Sequence, residues 1–352
     1  MKIDNHELAD LRVQKLDRLR CLTSSILDAR RPAHLLEREV VATVAILAES
    51  ATVPVAIGED ILDGEMVTAN GLALSPASAS MCANDFVRTI QFIRSVHSAA
   101  LDVRALHPDR PARVLYAGCG PYATLAVPIM SVLSSREVTF TLLDIHAEST
   151  ESARSVVDSL GLADSVASSE TMDASLYCGN REQAHDVILV EMMQACLESE
   201  PQVAIARHLV AQNPNAILIP EDVRVDLTLA DMSREFERDA LKPQAGDAER
   251  DRIHLGSVFV LSRETINSWK AIGGDRLPGS TMRIPDLLER RYQPMLLTTI
   301  RIYRDHVLKD YESGLTCPRV FSAQGTLDAG ATIQFHYELG RHPRLSGEVC
   351  AR

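Results

Sequence analysis

The sequence predicts an α/β fold: a doubly wound parallel sheet, preceded by a helical region and followed by an antiparallel β-rich, barrel-like lobe. Three observations predict it. Between residues 112 and 220 short apolar runs alternate with helical segments, the texture of a parallel sheet with crossover helices. Beyond Pro220 the apolar period shifts toward two, as in strands with one solvated face. Before residue 112 apolar residues recur every three or four positions, the spacing of helices. At 352 residues the chain exceeds the usual ~100–200 residues of one domain. The expected division is 1–84, helical; 85–221, parallel sheet; and 222–352, β-rich.

Taken in order, Leu8, Leu11, Val13, Leu16 and Leu19 mark a first helix, and residues 35–47 repeat the pattern after the Arg31-Pro32 break. A looser stretch carries Pro54, Gly58, Gly64, Gly71 and Pro76, and a further helix is expected over 84–101, before His107-Pro108. Strands are expected at 113–117, 138–143, 186–190 and 216–220, with helices at 123–133, 149–160 and 201–210 between them. In the last third, Val223, Val225, Leu227 and Leu229 alternate with polar neighbours, and 258–262, 295–303 and 332–339 read alike. No internal repeat is visible, which excludes a solenoid.

Composition narrows the function. Apolar residues at 46% and charged residues at 24% describe a globular chain and not a disordered one. A net charge of −12 repels a phosphate backbone, and 7 Phe, 7 Tyr and 1 Trp leave little for base stacking; nucleic acid is therefore not an expected partner, whereas a cation is. No stretch approaches the ~18–20 apolar residues of a membrane span, and the first twenty residues carry no apolar signal region. The seven cysteines are scattered, without a CxxC pair or a Cys/His cluster at zinc spacing, so reduced thiols, a cytoplasmic location and no metal are expected.

The first chemical motif is Gly118-Cys119-Gly120, directly after the strand at 113–117 and ahead of a helix. Glycines at such a turn let backbone approach a ligand beside the open amides of a helix start. Asp144 ends the second strand, where an acid accepts from ribose hydroxyls, and follows Gly120 by 24 residues. A dinucleotide fingerprint would require a glycine at 123, which is Ala. The run VLYAGCGPYATLAVP instead resembles motif I of the Rossmann-like class I S-adenosyl-L-methionine (SAM) methyltransferases, although the usual acid is replaced by Tyr116 and the third glycine by Tyr122.

Three further segments resemble the protein arginine methyltransferase family. Residues 191–200, EMMQACLESE, are similar to that family's double-glutamate loop, with Glu191 and Glu200 nine positions apart and Met193, Cys196 and Leu197 matching between them. LIPED at 218–222 resembles the passage into its β-barrel, and DFVRTIQF at 85–92 its helix upstream of motif I. The likeness is close over 85–230 and one of texture beyond. It implies SAM as cofactor, Arg88 on the SAM carboxylate, Gly118 and Gly120 along its methionine part, Asp144 on the ribose, and Met172 and Asp173 at the adenine. It also implies a homodimer. Each acid has a plainer reading as a cap or a solvated surface group, and Arg88 as half of a surface ion pair.

The pair Glu191 and Glu200 suits a guanidinium. That group stays protonated, with delocalised lone pairs, and two carboxylates can hold it by charge-assisted hydrogen bonds while aiming one nitrogen at a methyl donor. Two elements of enzymes acting on protein arginines are missing: residues 66–84 contain no Tyr or Phe, and no threonine-histidine-tryptophan loop is present, Trp269 following Asn267-Ser268. The expected activity is therefore methyl transfer to a guanidino nitrogen of free L-arginine or a related small cationic metabolite, in a pocket that also holds the substrate's carboxylate. A different methyl acceptor and a non-catalytic SAM-binding protein are the alternatives.

Overall fold

A computed structural model describes residues 5–53, 62–180, 184–235, 250–286, 289–324 and 328–350; Pro54 and Gly58 lie outside them. Helices α1 (Asn5–Leu27) and α2 (Glu37–Ala48) pack together and against the core, burying Leu19, Ile26, Val40 and Leu47. The chain end of α1 is held by Arg94, whose guanidinium donates to the carbonyls of Ile26, Asp28 and Arg31 at 2.7, 3.0 and 2.7 Å. A buried cation thus satisfies carbonyls that the helix end leaves open. A short hairpin, β1 (Met66–Val67) and β2 (Leu72–Ala73), leads to α3 (Pro76–Met81), which Ser75 caps.

Helix α4 (Phe86–Leu106) is capped by Asp85, which accepts from the Arg88 amide. It runs five residues past the expected end at 101, because Val103 continues the buried stripe of Ile93, Val96 and Ala100. The core follows as β3 (Ala112–Ala117), α5 (Val127–Val132), β4 (Val138–Asp144), α6 (Ala147–Leu160), β5 (Val166–Thr171), β6 (Val187–Val190), α7 (Gln202–Gln212) and β7 (Ile217–Ile219). The sheet order is β5-β4-β3-β6-β7, all parallel. Strand order reverses beside β3, which opens a crevice at the carboxyl ends of the strands.

Two expectations are corrected here. The helix expected from 123 begins only at Val127, because Ala123 takes a left-handed φ of 44° and residues before it turn. Strand β5 was not expected: its sequence, VASSET, is polar, and as an edge strand it buries too little for a pattern to show.

The last lobe comprises β8 (Asp222–Asp231), α8 (Met232–Glu235), β9 (Arg252–Ser262), α9 (Arg263–Ser268), β10 (Arg276–Arg283), β11 (Tyr292–Tyr303), β12 (His306–Leu308), β13 (Arg319–Val320), β14 (Thr332–Glu338) and β15 (Arg344–Val349). Strands β12-β11-β8-β9 form one antiparallel sheet, with β13 also on β11; β10-β14-β15 form another. The predicted α/β core with a β-rich lobe and N-terminal helices is the fold observed. Strands β10 and β15 escaped the sequence reading because Pro278, Gly279 and Gly347 interrupt their alternation. Phe259 stacks between Trp269 and Tyr337, centroids 5.4 and 4.9 Å away, so the single tryptophan is core. Helix α4 joins the lobes: it packs on β11 and β12, and Asp102 accepts from the Tyr303 hydroxyl at 2.5 Å and pairs with Arg304 at 2.6 Å.

Candidate active site

At the end of β3 the chain turns through Gly118 (φ 75°) and Gly120 (φ 63°). A Cβ on Gly118 would lie 2.5 Å from Met192 Cγ, so only glycine lets this turn pass under the loop after β6. The Gly120 amide donates to Asp144 Oδ2 at 2.9 Å and the His146 amide to Oδ1 at 3.0 Å. Both carboxylate oxygens are thereby fixed, and each keeps acceptor capacity toward the crevice. Burial raises the Asp144 pKa, against these two amides. Met172 follows at the end of β5, its amide on the Asp144 carbonyl at 2.8 Å, and Asp173 caps the next turn by accepting from the Ser175 amide at 2.8 Å.

The loop from β6 to α7 carries Glu191 and Glu200, only 9% and 6% exposed, which excludes solvated caps for both. Arg88, from α4, is paired with Glu191 and largely buried, so it is not half of a surface pair. Burial opposes the Arg88 charge, but Glu191 holds it positive; burial likewise pushes Glu191 up against the pull of Arg88. Glu200 is raised to about 8 by burial and then by Glu191. Glu191 Oε1 is buried without a hydrogen-bond partner, an open acceptor of the kind that a bound donor would satisfy.

This loop is strained: Cys196, Leu197 and Ser199 have φ of 63°, 59° and 65°, conformations that cost non-glycine residues about 1–3 kcal/mol each. Clamps from every part of the chain impose them. Gln202 accepts from the Met192 amide (2.9 Å) and donates to the Val190 carbonyl (2.8 Å). The Cys196 amide donates to Thr298 Oγ1 (2.9 Å), the Tyr337 hydroxyl to the Leu197 carbonyl (2.6 Å), and the Ser199 amide to the Pro343 carbonyl (2.8 Å). From the N-terminal hairpin, the Leu72 amide donates to the Ser199 carbonyl at 2.8 Å. Gly71 permits that approach, since a Cβ there would meet the Ser199 oxygen at 2.8 Å.

One cavity of about 320 Å³ is lined by Arg88, Gly118, Gly120, Asp144, Met172, Asp173, Glu191 and Glu200 together. The eight candidate cofactor and acid residues therefore meet in one place. Sequence reasoning missed other lining residues: Ser80 and Cys82 from the N-terminal region, His146, and Leu315 and Arg319 from the β-rich lobe. His146 Nε2 is a second buried atom without a hydrogen-bond partner. Tyr116 and Tyr122, the two departures from motif I, are buried and line the same cavity, with the Tyr122 hydroxyl 3.3 Å from the Val53 carbonyl. From the β-rich lobe, Ser313 donates to Asp85 Oδ2 at 2.6 Å and the Gly314 amide to the same atom at 2.9 Å. Among the described residues no group of three or more His, Cys, Asp or Glu could hold a metal ion.

Among solved structures, the Trypanosoma brucei PRMT1 enzyme-prozyme heterotetrameric complex with AdoHcy contains a chain that matches over 79% of this chain and 94% of its own, with a TM-score of 0.52 at 14% identity. The fold is shared. PRMT6-SAH matches over 78% of this chain and 100% of its own, with a TM-score of 0.49 at 11% identity. No protein-family model matches the sequence, and no curated protein does.

Proposed function

We propose that the protein is a SAM-dependent N-methyltransferase acting on a guanidino nitrogen of free L-arginine or a related small guanidino compound. The observation that carries this reading is the convergence of Glu191 and Glu200, both buried, on the cavity lined by the glycine turn and Asp144. The PRMT1 neighbour was solved with AdoHcy, the form of SAM left after methyl transfer, and shares this chain's fold. The residues here suit that group: Gly118 and Gly120 offer backbone at close approach, Asp144 offers carboxylate oxygens to a diol, and Arg88 offers a cation to a carboxylate. Met172 and Asp173 line the same cavity after Asp144 and would face the adenine.

When bound, SAM would supply an electrophilic methyl on a sulfonium to one guanidino nitrogen, and the proton which that nitrogen sheds would pass to the ionised Glu200 or to solvent. The chain's own residues do the rest. Glu191, with an oxygen free of hydrogen bonds, accepts from the guanidinium and draws its positive charge. Glu200, raised to about 8 by burial and by Glu191 against the pull of Arg88, loses its proton when the guanidinium arrives and then orients the second side of the fork. Strain in the loop fixes both carboxylates before the substrate arrives, so catalysis is orientation and electrostatics more than base strength.

A small acceptor is supported by the covering segment, where Thr68, Leu72, Ala79, Ser80 and Cys82 line the cavity without an aromatic residue. Seven free thiols and the absence, among the described residues, of a helix able to cross a membrane accord with a cytoplasmic setting. A homodimer completes the proposal, with sedimentation as its check. The deciding experiment measures SAM binding and transfer of labelled methyl to L-arginine. Transfer supports the reading; binding without transfer to any guanidine points to another acceptor or to a binding protein, and no binding removes the enzyme.

A further inference from the structure

The cavity is lined by four acids, Asp144, Asp173, Glu191 and Glu200, and by two guanidiniums, Arg88 and Arg319. An amino-acid substrate that presents its guanidinium to Glu191 and Glu200 must place a carboxylate elsewhere in this acidic surrounding. Left without a cation it would be repelled. Arg88 is already committed, being paired with Glu191 and assigned above to the carboxylate of the cofactor. Among the described residues the Arg319 side chain makes no ion pair or hydrogen bond, and it is exposed.

Its position is set by the β-rich lobe. Arg319 lies on β13 and pairs in register with Leu296 of β11. The Leu296 carbonyl is 3.9 Å from the Cys196 thiol, and Thr298 of the same strand holds the Cys196 amide. Cys196 stands between the two glutamates in sequence, and the charge of Arg319 reaches its thiol. Arg319 therefore enters the lining of the cavity from the β-rich lobe, a different part of the chain from the glycine turn.

We propose that Arg319 binds the α-carboxylate of the guanidino substrate and selects free amino acids over guanidines that lack a carboxylate. This rests on the guanidine-methylating reading above. A guanidinium and a carboxylate meet as a bidentate, charge-assisted pair, which gives both affinity and orientation.

The test compares L-arginine with agmatine, its decarboxylated form, in the wild-type protein, Arg319→Gln and Arg319→Lys. The expected result is a KM for L-arginine raised roughly 10- to 100-fold in Arg319→Gln, the size of a lost hydrogen bond to a charged group. Arg319→Lys should recover part of it, and agmatine turnover and SAM affinity by calorimetry should stay within about twofold. An equal effect on both substrates, no effect on L-arginine, or a loss of SAM affinity overturns the assignment. If the wild-type protein binds SAM but methylates neither guanidine, the proposed function falls, and this assignment with it.

Discussion

In the proposed reaction each glutamate of the pair has a distinct electrostatic task. Glu191 shares its charge with Arg88 and keeps one oxygen open. Replacing it by Gln preserves shape but removes the charge that draws on the substrate cation. Turnover of Glu191→Gln is expected to fall by at least about 100-fold, as for loss of one preorganised electrostatic contact, with SAM affinity within a few-fold by calorimetry. Lost cofactor binding instead would make Glu191 a cofactor residue. Glu200 gives a pH signature. Its pKa of about 8 in the ligand-free protein means that a cation must displace a proton below that pH. The kcat/KM for a guanidine substrate should therefore rise with pH and level off above about 8; a profile flat from pH 6 to 9 would remove Glu200 from that role. These two acids were legible in the sequence because they bracket a recognisable loop. His146 and Arg319 were not: one follows the Asp144 it helps to hold, and the other reaches the cavity through strand pairing 100 or more residues from the core motifs.

At the scale of elements, the strained loop between β6 and α7 is the part on which the proposed reaction depends. The Tyr337 hydroxyl on the Leu197 carbonyl is a clamp that can be removed with little change of shape. Tyr337→Phe leaves a buried carbonyl unsatisfied, at a cost of about 1–3 kcal/mol. Its expected consequences are a lower denaturation midpoint and a reduced kcat, with SAM affinity unchanged because the glycine turn and Asp144 are untouched. Full activity in this variant would show that the remaining clamps suffice. The elements themselves were mostly visible as patterns, since buried strands such as β3, β4 and β6 are short apolar runs and α4 carries a long buried stripe. The failures were physical in kind. β5 is a polar edge strand, β10 and β15 are broken by glycine or proline, and the start of α5 is delayed by a backbone conformation at Ala123 that no periodicity encodes. The loop's clamps were equally hidden, because Thr298, Tyr337 and Pro343 carry no motif and become partners only once the lobes pack.

At the scale of the whole molecule, the lobes share α4, which caps the cavity with Arg88 at one end and packs on β11 and β12 along its length. Asp102 near the far end of that helix is tied to Tyr303 and Arg304. Neither lobe can lose its structure without exposing this helix, so calorimetry should show one unfolding transition that SAM moves upward as a unit; two transitions would mean that α4 is not the shared element. The division into helical, nucleotide-fold and β-rich parts was legible as a change of texture along the chain, whereas the dependence of each part on the others was not. That dependence has an outcome during synthesis. A chain emerging from the ribosome in order can complete the parallel sheet and its glycine turn once residue 219 is free, but the loop that carries Glu191 and Glu200 is clamped at Leu197 and Ser199 by partners as late as Tyr337 and Pro343. The nascent protein would then form the crevice beside the glycine turn well before the proposed reaction centre is held in place, which only a nearly finished chain could do.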